Sequence, residues 1–154
     1  MGSLLCSYLI LYTEDMETDG ENGIFMKIVR REAPAEIVYE DDETLAFLNN
    51  SPNAPGHTLV IPKKPARNVF DVDEATWLAV MRTVRKIAPA VRDAVGAKGV
   101  HINSNHESEA GQVVFHVHVH IIPRKDRSEF EFWGSEEFDP VEAKEIAERI
   151  RKLV

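Results

Sequence analysis

Cysteine is almost absent: Cys6 is the single one in 154 residues. No disulfide can form within the chain, and a lone thiol fits a reducing cytosol. Long apolar runs are missing too, since no stretch approaches the roughly 20 residues of a membrane span. These absences predict a cytoplasmic protein with no membrane partner. Positive charge is scarce, with 18 Lys and Arg against 26 Asp and Glu and a net charge of -8. That balance argues against a nucleic-acid polymer as the main ligand, because its backbone calls for a basic face. It leaves room for one small anion held by local dipoles. There is no internal repeat and no low-complexity segment. A chain of this length buries roughly 68–70% of its unfolded surface as one domain and needs no covalent staples.

The charge is unevenly spread. Glu14, Asp15, Glu17, Asp19 and Glu21 give residues 1–22 a charge of -5 with no Lys or Arg. Ahead of them Leu4, Leu5, Tyr8, Leu9, Ile10 and Leu11 form a short apolar stretch. It lacks the positive flank and small-residue cleavage site of a signal peptide. Gly2 suits an N-myristoylation start, but Cys6 stands where Ser or Thr is wanted. Residues 1–22 are therefore expected to be an acidic N-terminal extension, with residues 23–154 as the folded domain. Asp19-Gly20-Glu21-Asn22-Gly23 supplies the hinge between them.

Within the domain, residues 24–31 predict a short helix ended by Pro34. Strands are expected at 37–40 and 44–48, joined by the acidic turn Asp41-Asp42-Glu43. After a loop with two prolines, His57 opens a strand that Pro62 closes. Trp77, Val80, Met81, Val84, Ile87, Ala88 and Val91 recur at steps of three and four, which predicts a long helix capped by Asp73. Pro89 inside it should kink or divide it. A strand at 100–105 and a histidine-bearing strand at 113–122, stopped by Pro123, follow. Asp139-Pro140-Val141-Glu142 reads as a cap and first turn opening a final helix. This order predicts an α+β domain on an antiparallel sheet.

The chemistry concentrates at 116–120, His-Val-His-Val-His. On a strand, His116, His118 and His120 share one face while Val117, Val119 and Ile121 point into a core. Imidazoles are costly to bury without partners. Three readings fit such a row: a metal site, a half-exposed histidine face, or nucleophilic catalysis. Zinc or copper suits imidazole, yet a structural zinc wants four ligands, and no Cys-x-x-Cys or close carboxylate accompanies the row. His57, His101 or His106 would have to fold into place. A neutral histidine, with an ordinary pKa of about 6.5, is a competent nucleophile when one nitrogen is free and the other hydrogen-bonded.

Two segments carry a resemblance. The first is Gly111-Gln112-Val113-Val114-Phe115-His116-Val117-His118-Val119-His120-Ile121-Ile122-Pro123-Arg124. The second lies upstream: Asn49-Asn50-Ser51-Pro52-Asn53-Ala54-Pro55-Gly56-His57-Thr58-Leu59-Val60-Ile61-Pro62-Lys63. Together they resemble the signature and the nucleotide-binding stretch of the histidine triad family, over a span from about Ile24 to about Arg127. The resemblance implies a small domain with a five-stranded antiparallel sheet, a long helix and a C-terminal helix. It also implies a homodimer with one ten-stranded sheet, and reaction at the α-phosphorus of purine nucleotide derivatives. Within it His118 matches the nucleophile that forms a nucleotidyl-histidine. His116 and His120 match the flanking groups on phosphate and leaving group, and Gln112 matches the glutamine that orients leaving group or water. His57 matches the fourth active-site histidine, Asn105 a phosphate-side asparagine and Asn49 a ribose-binding position.

The departures matter as well. Gly23-Ile24-Phe25-Met26 stands where many bacterial relatives carry a Cys-x-x-Cys zinc site, and Pro65 stands where those relatives often place a further histidine ligand. No structural zinc and no required cofactor are expected, with any divalent metal arriving alongside the substrate. Val113 replaces a Ser or Thr found in several branches, so a phosphate contact there falls to its backbone N–H. The resulting expectation is a hydrolase of nucleoside phosphoramidates or dinucleoside polyphosphates. The alternative is a nucleotide-binding regulatory module with little turnover. His101 is read as structural or exposed, His106 as a solvated loop residue with reach to the substrate phosphate as the alternative, Trp77 as core or dimer interface, and Trp133 as packing with base stacking as the alternative.

Overall fold

The structure is a computed structural model that describes residues 20–130, 134–135, 137 and 139–154. The extension before Gly20 and the segment holding Trp133 lie outside the described residues. The domain runs α1 (Ile24–Val29), β1 (Ile37–Glu40), β2 (Thr44–Leu48), β3 (Thr58–Pro62), α2 (Glu74–Ala94), β4 (Gly99–Asn103), β5 (Val119–Arg124) and α3 (Pro140–Arg151). The five strands form one sheet in the order β1-β2-β3-β5-β4, with every neighbouring pair antiparallel.

Alternation along the strands divides the core into two layers. Leu45, Phe47, Leu59 and Ile61 face α1 and pack on Ile24, Phe25 and Ile28. Ala46, Val60, Val119 and Ile121 face the opposite way and pack on Val80, Val84 and Ile87 of α2. Leu59 sits opposite His120 in the β3–β5 register, which puts His120 on the α1 side of the sheet. The β1–β2 turn is tied by Asp41, whose Oδ1 accepts from the backbone N–H groups of Glu43 at 3.0 Å and Thr44 at 2.7 Å. This is a use of Asp that suits tight turns.

Local signals explain the helix ends. Asp73 accepts from the Thr76 N–H at 2.9 Å, satisfying a first-turn donor of α2. The Lys64 ammonium, and then that N–H, hold the Asp73 carboxyl well below the usual carboxylate range. Asp139 caps α3 by accepting from the Val141 and Glu142 N–H groups.

Prolines behave differently from the sequence expectation. Pro89 does not divide α2, which continues to Ala94. Arg85 and Pro89 are both exposed, so the carbonyl that loses its helical partner faces water. Pro62 and Pro123 lie inside β3 and β5 rather than after them. The β3–β5 pairing covers Thr58 to Val60 against Val119 to Ile121. At each proline the strand therefore has a neighbour on one side only, and a missing N–H on the open side costs no ladder bond.

The histidine segment departs further. Regular strand begins at Val119, so His120 is in the sheet while His116 and His118 precede it. Their backbone is satisfied by loops instead: the Val117 N–H donates to the Ala66 carbonyl at 2.8 Å, and the Ser104 hydroxyl donates to the His118 carbonyl at 2.6 Å.

Candidate active site

The structure gathers four histidines where α1, the loop before β3 and the segment entering β5 meet. Gly56 sets the turn into β3: its φ is +82°, and a Cβ there would lie 2.9 Å from Val95 Cγ1. Only glycine fits that approach and that backbone. His57 follows, 1% exposed. Its Nδ1 accepts from the Asn53 backbone N–H at 3.1 Å and faces the Asn49 side-chain amide at 3.3 Å.

Those bonds fix a chain of tautomers. A backbone N–H can only donate, so His57 carries its proton on Nε2. That nitrogen is 2.9 Å from His120 Nδ1, which must accept. His120 therefore presents an Nε2–H donor.

His118 is fixed by a separate bond. Its Nδ1 lies 2.7 Å from the His116 carbonyl. A carbonyl only accepts, so the proton is on Nδ1 and the Nε2 lone pair is left available. The ring is held edge-on by Phe25 at 5.3 Å between centroids and by His120 at 4.9 Å. His116 donates from Nε2 to the Pro62 carbonyl at 3.0 Å. Its Nδ1 is buried without a partner, a desolvated lone pair of the kind that functional sites retain.

All four rings resist protonation. Burial is the main cause each time, because it penalises the charged form. It pushes His57 down to about 4, helped by the Arg124 and His118 charges. It pushes His116 to about 4 and His120 to about 3, the latter helped by the His118 charge. His118 is lowered too, by burial foremost, against the opposing pull of the His116 carbonyl. The site thus offers neutral imidazoles at neutral pH: one lone pair at His118 beside one N–H donor at His120.

The remaining candidate residues serve the loops around these rings. Asn49 also accepts the Ser51 N–H at 3.0 Å, so it braces the His57 loop. Asn105 donates to the Gly111 carbonyl at 3.1 Å and closes the loop ahead of the triad. Gln112 is buried at 4% exposure. Its Nε2 donates to the carbonyls of Arg67 at 2.8 Å and Val114 at 3.1 Å, and its Oε1 accepts the Glu107 N–H at 2.7 Å. Both amide hydrogens of Gln112 are spent on backbone, so in this structure it organises the loop and has no N–H left for a leaving group or water. Val113 is exposed at 56%. His106 accepts the Val69 N–H at 3.1 Å and packs edge-on against Trp77, while His101 packs on Phe130.

Sequence reasoning did not single out Phe25, Asn53 or Ser104 as partners of the histidines. Phe25 had a visible signal, as the large aromatic of the short helix preceding the sheet. Asn53 acts through its backbone N–H and Ser104 through its hydroxyl on the His118 carbonyl, contacts that only the fold makes. Among the described residues no group of three or more His, Cys, Asp or Glu side chains is arranged to hold a metal ion. No helix among them is long and apolar enough to cross a membrane.

Known proteins resemble this chain in sequence and fold. The HIT domain profile matches residues 30–127. The chain is 45% identical to Protein hit of Bacillus subtilis (strain 168) over 104 residues, covering 68% of this chain and 72% of that protein. It is 38% identical to adenylylsulfatase HINT3 of Arabidopsis thaliana over 113 residues, covering 73% of this chain and 56% of that one. The crystal structure of SMU.412c from Streptococcus mutans UA159 superposes with a TM-score of 0.79 at 41% identity, covering 84% of this chain and 83% of that one. The chain belongs to the histidine triad, or HIT, family.

Proposed function

We propose that this protein is a nucleotidyl hydrolase acting at the α-phosphorus of purine nucleotide derivatives, through a nucleotidyl-histidine on His118. The observation that carries the reading is the orientation of His118: its Nδ1–H is tied to the His116 carbonyl at 2.7 Å, and its Nε2 is left as a neutral nucleophile. Attack of Nε2 on phosphorus forms an N–P bond and breaks the bond to the leaving group: sulfate or a nucleotide departs as its anion, and an amine departs with a proton taken from solvent, which the attacking water later returns. The imidazole becomes cationic and keeps its Nδ1–H, and the carbonyl stabilises that charge. The Nε2–H of His120 donates to a phosphoryl oxygen whose charge grows in the transition state. Water then attacks phosphorus, the N–P bond breaks, and the nucleoside monophosphate leaves with His118 neutral again.

The name of the Arabidopsis relative, an adenylylsulfatase, supports adenylyl sulfate as one member of the substrate class. Adenosine phosphoramidate and diadenosine polyphosphates are the others to test. The family reading also carries a homodimer, supported by β4 ending the strand order with Ile102 exposed at 42%, an edge open to pairing.

The test is turnover by the wild type and by His118→Ala on that panel, with AMP binding measured by calorimetry. We expect the variant to fold, to bind AMP, and to lose turnover by about a thousandfold or more, in line with loss of a covalent nucleophile. Near wild-type turnover in the variant refutes the nucleophile. Tight AMP binding by a wild-type protein that turns over no member of the panel favours a binding module instead.

A further inference from the structure

His118 stands just outside the sheet, before β5 begins at Val119. No ladder bond fixes it, so its position depends on loops. Val117 is tied to Ala66 and the His118 carbonyl to Ser104. The loops that carry Ala66 and Ser104 are in turn joined by His106, which accepts the Val69 N–H, and most extensively by Glu107.

Every polar group of Glu107 is used in that joint. Its carboxylate accepts from Arg67 Nε at 3.1 Å and from an Arg67 terminal nitrogen at 2.7 Å, and also from the Asn68 side-chain amide. Its N–H donates to Gln112 Oε1 at 2.7 Å, and its carbonyl accepts from the Gln112 N–H at 3.0 Å. Gln112 returns a bond to the Arg67 carbonyl at 2.8 Å. The Arg67 guanidinium then lies 4.1 Å over the ring of Phe115, the residue before His116. A continuous path thus runs from Glu107 through Arg67 to the nucleophile segment.

The backbone of Glu107 gives an independent signal. Its φ is 73° and its ψ 160°, a region that essentially only glycine occupies without strain. A glycine here would relieve the backbone but delete the carboxylate. Such strain persists only where the surroundings over-determine it, and it concentrates at functional sites.

We propose that Glu107 is a positioning residue, which holds the His118 segment in register through Arg67 and Phe115. The proposal rests on His118 being the nucleophile, but the order of the segment is measurable without turnover. The experiment compares Glu107→Ala and Glu107→Gln with the wild type by NMR titration of the His118 ring, alongside kcat, KM and thermal unfolding. In folded Glu107→Ala we expect the His118 titration midpoint to rise toward the ordinary value of about 6.5, as the ring gains access to water. We expect kcat to fall about tenfold or more with KM changed by less than about threefold, since small misplacements of a reacting group cost mainly rate. Glu107→Gln keeps the shape and an acceptor for Arg67, so it should show the same shifts at smaller size. It decides the matter if the alanine variant does not fold.

An unchanged His118 midpoint in a folded variant overturns the proposal. So does a loss of activity that merely follows the fraction unfolded, equal in both variants. A wild type with no turnover removes the catalytic reading of His118 while leaving the titration as a test of the clasp.

Discussion

Acid should unfold this protein from its buried histidine cluster outward. The unfolded chain protonates its histidines near 6.5, whereas burial holds His57 and His116 at about 4 and His120 at about 3 in the fold. Between those values the unfolded state binds more protons than the folded one, so stability falls as pH falls. The contribution is fully present above about pH 6.5 and is lost progressively down toward 4 and 3. For each histidine the shift amounts to about 2 kcal/mol between pH 7 and pH 5, at 1.36 kcal/mol per pH unit of displacement. Three such groups would sum to about 6 kcal/mol if independent, but the rings touch, so a loss of several kcal/mol is the working figure. That is comparable with the roughly 5–15 kcal/mol that holds a domain together. Carboxylates of lowered pKa add their loss mainly below pH 5, which leaves the window from 6.5 to 5 to the histidines. The assay is urea unfolding at half-unit pH steps. The slope of stability against pH near 5.5 should be about 2–3 kcal/mol per unit, and it should shrink in His57→Gln. A flat slope there, or stability that rises on acidification, refutes the burial of neutral rings.

Other expectations follow from the same geometry. The acid limb of kcat/KM should lie below pH 6.5, because His118 must be neutral to attack and burial lowers its pKa; a limb at or above 6.5 contradicts a buried nucleophile. Gln112→Ala removes a buried amide and leaves the Glu107 N–H and two carbonyls without it. It should cost about 1–3 kcal/mol of stability in urea, whereas loss of turnover at full stability would mean that Gln112 meets the substrate. His57→Ala frees His120 Nδ1 from its donor and should lower kcat by about a hundredfold, as removal of one oriented donor does. Unchanged kcat would show that the tautomer of His120 is set by other contacts.

Much of this molecule was legible in the sequence because its signals are local. The β1 and β2 boundaries follow from alternation around an acidic turn, and α2 follows from its apolar spacing and the Asp73 cap. His116, His118, His120 and His57 were found by pattern and resemblance. What remained hidden depends on contacts between distant segments. Residues 113–118 read as part of a strand, yet the Val117 N–H bonds to Ala66 and the His118 carbonyl to Ser104, and regular strand starts only at Val119. Pro62 and Pro123 read as stops, but one-sided pairing lets the strands include them. Glu107 and Arg67 were given no role from the sequence, since nothing in their neighbourhood along the chain announces a joint between two loops.

The covalent intermediate offers the most direct test of His118. Rapid mixing with adenosine phosphoramidate, quenching in alkaline denaturant and peptide mass mapping would report any nucleotidyl group on the chain. His118 should carry one AMP-sized increment that forms within a turnover and disappears as AMP is released. Turnover with no labelled histidine, or with the label on another residue, would contradict His118 as the nucleophile.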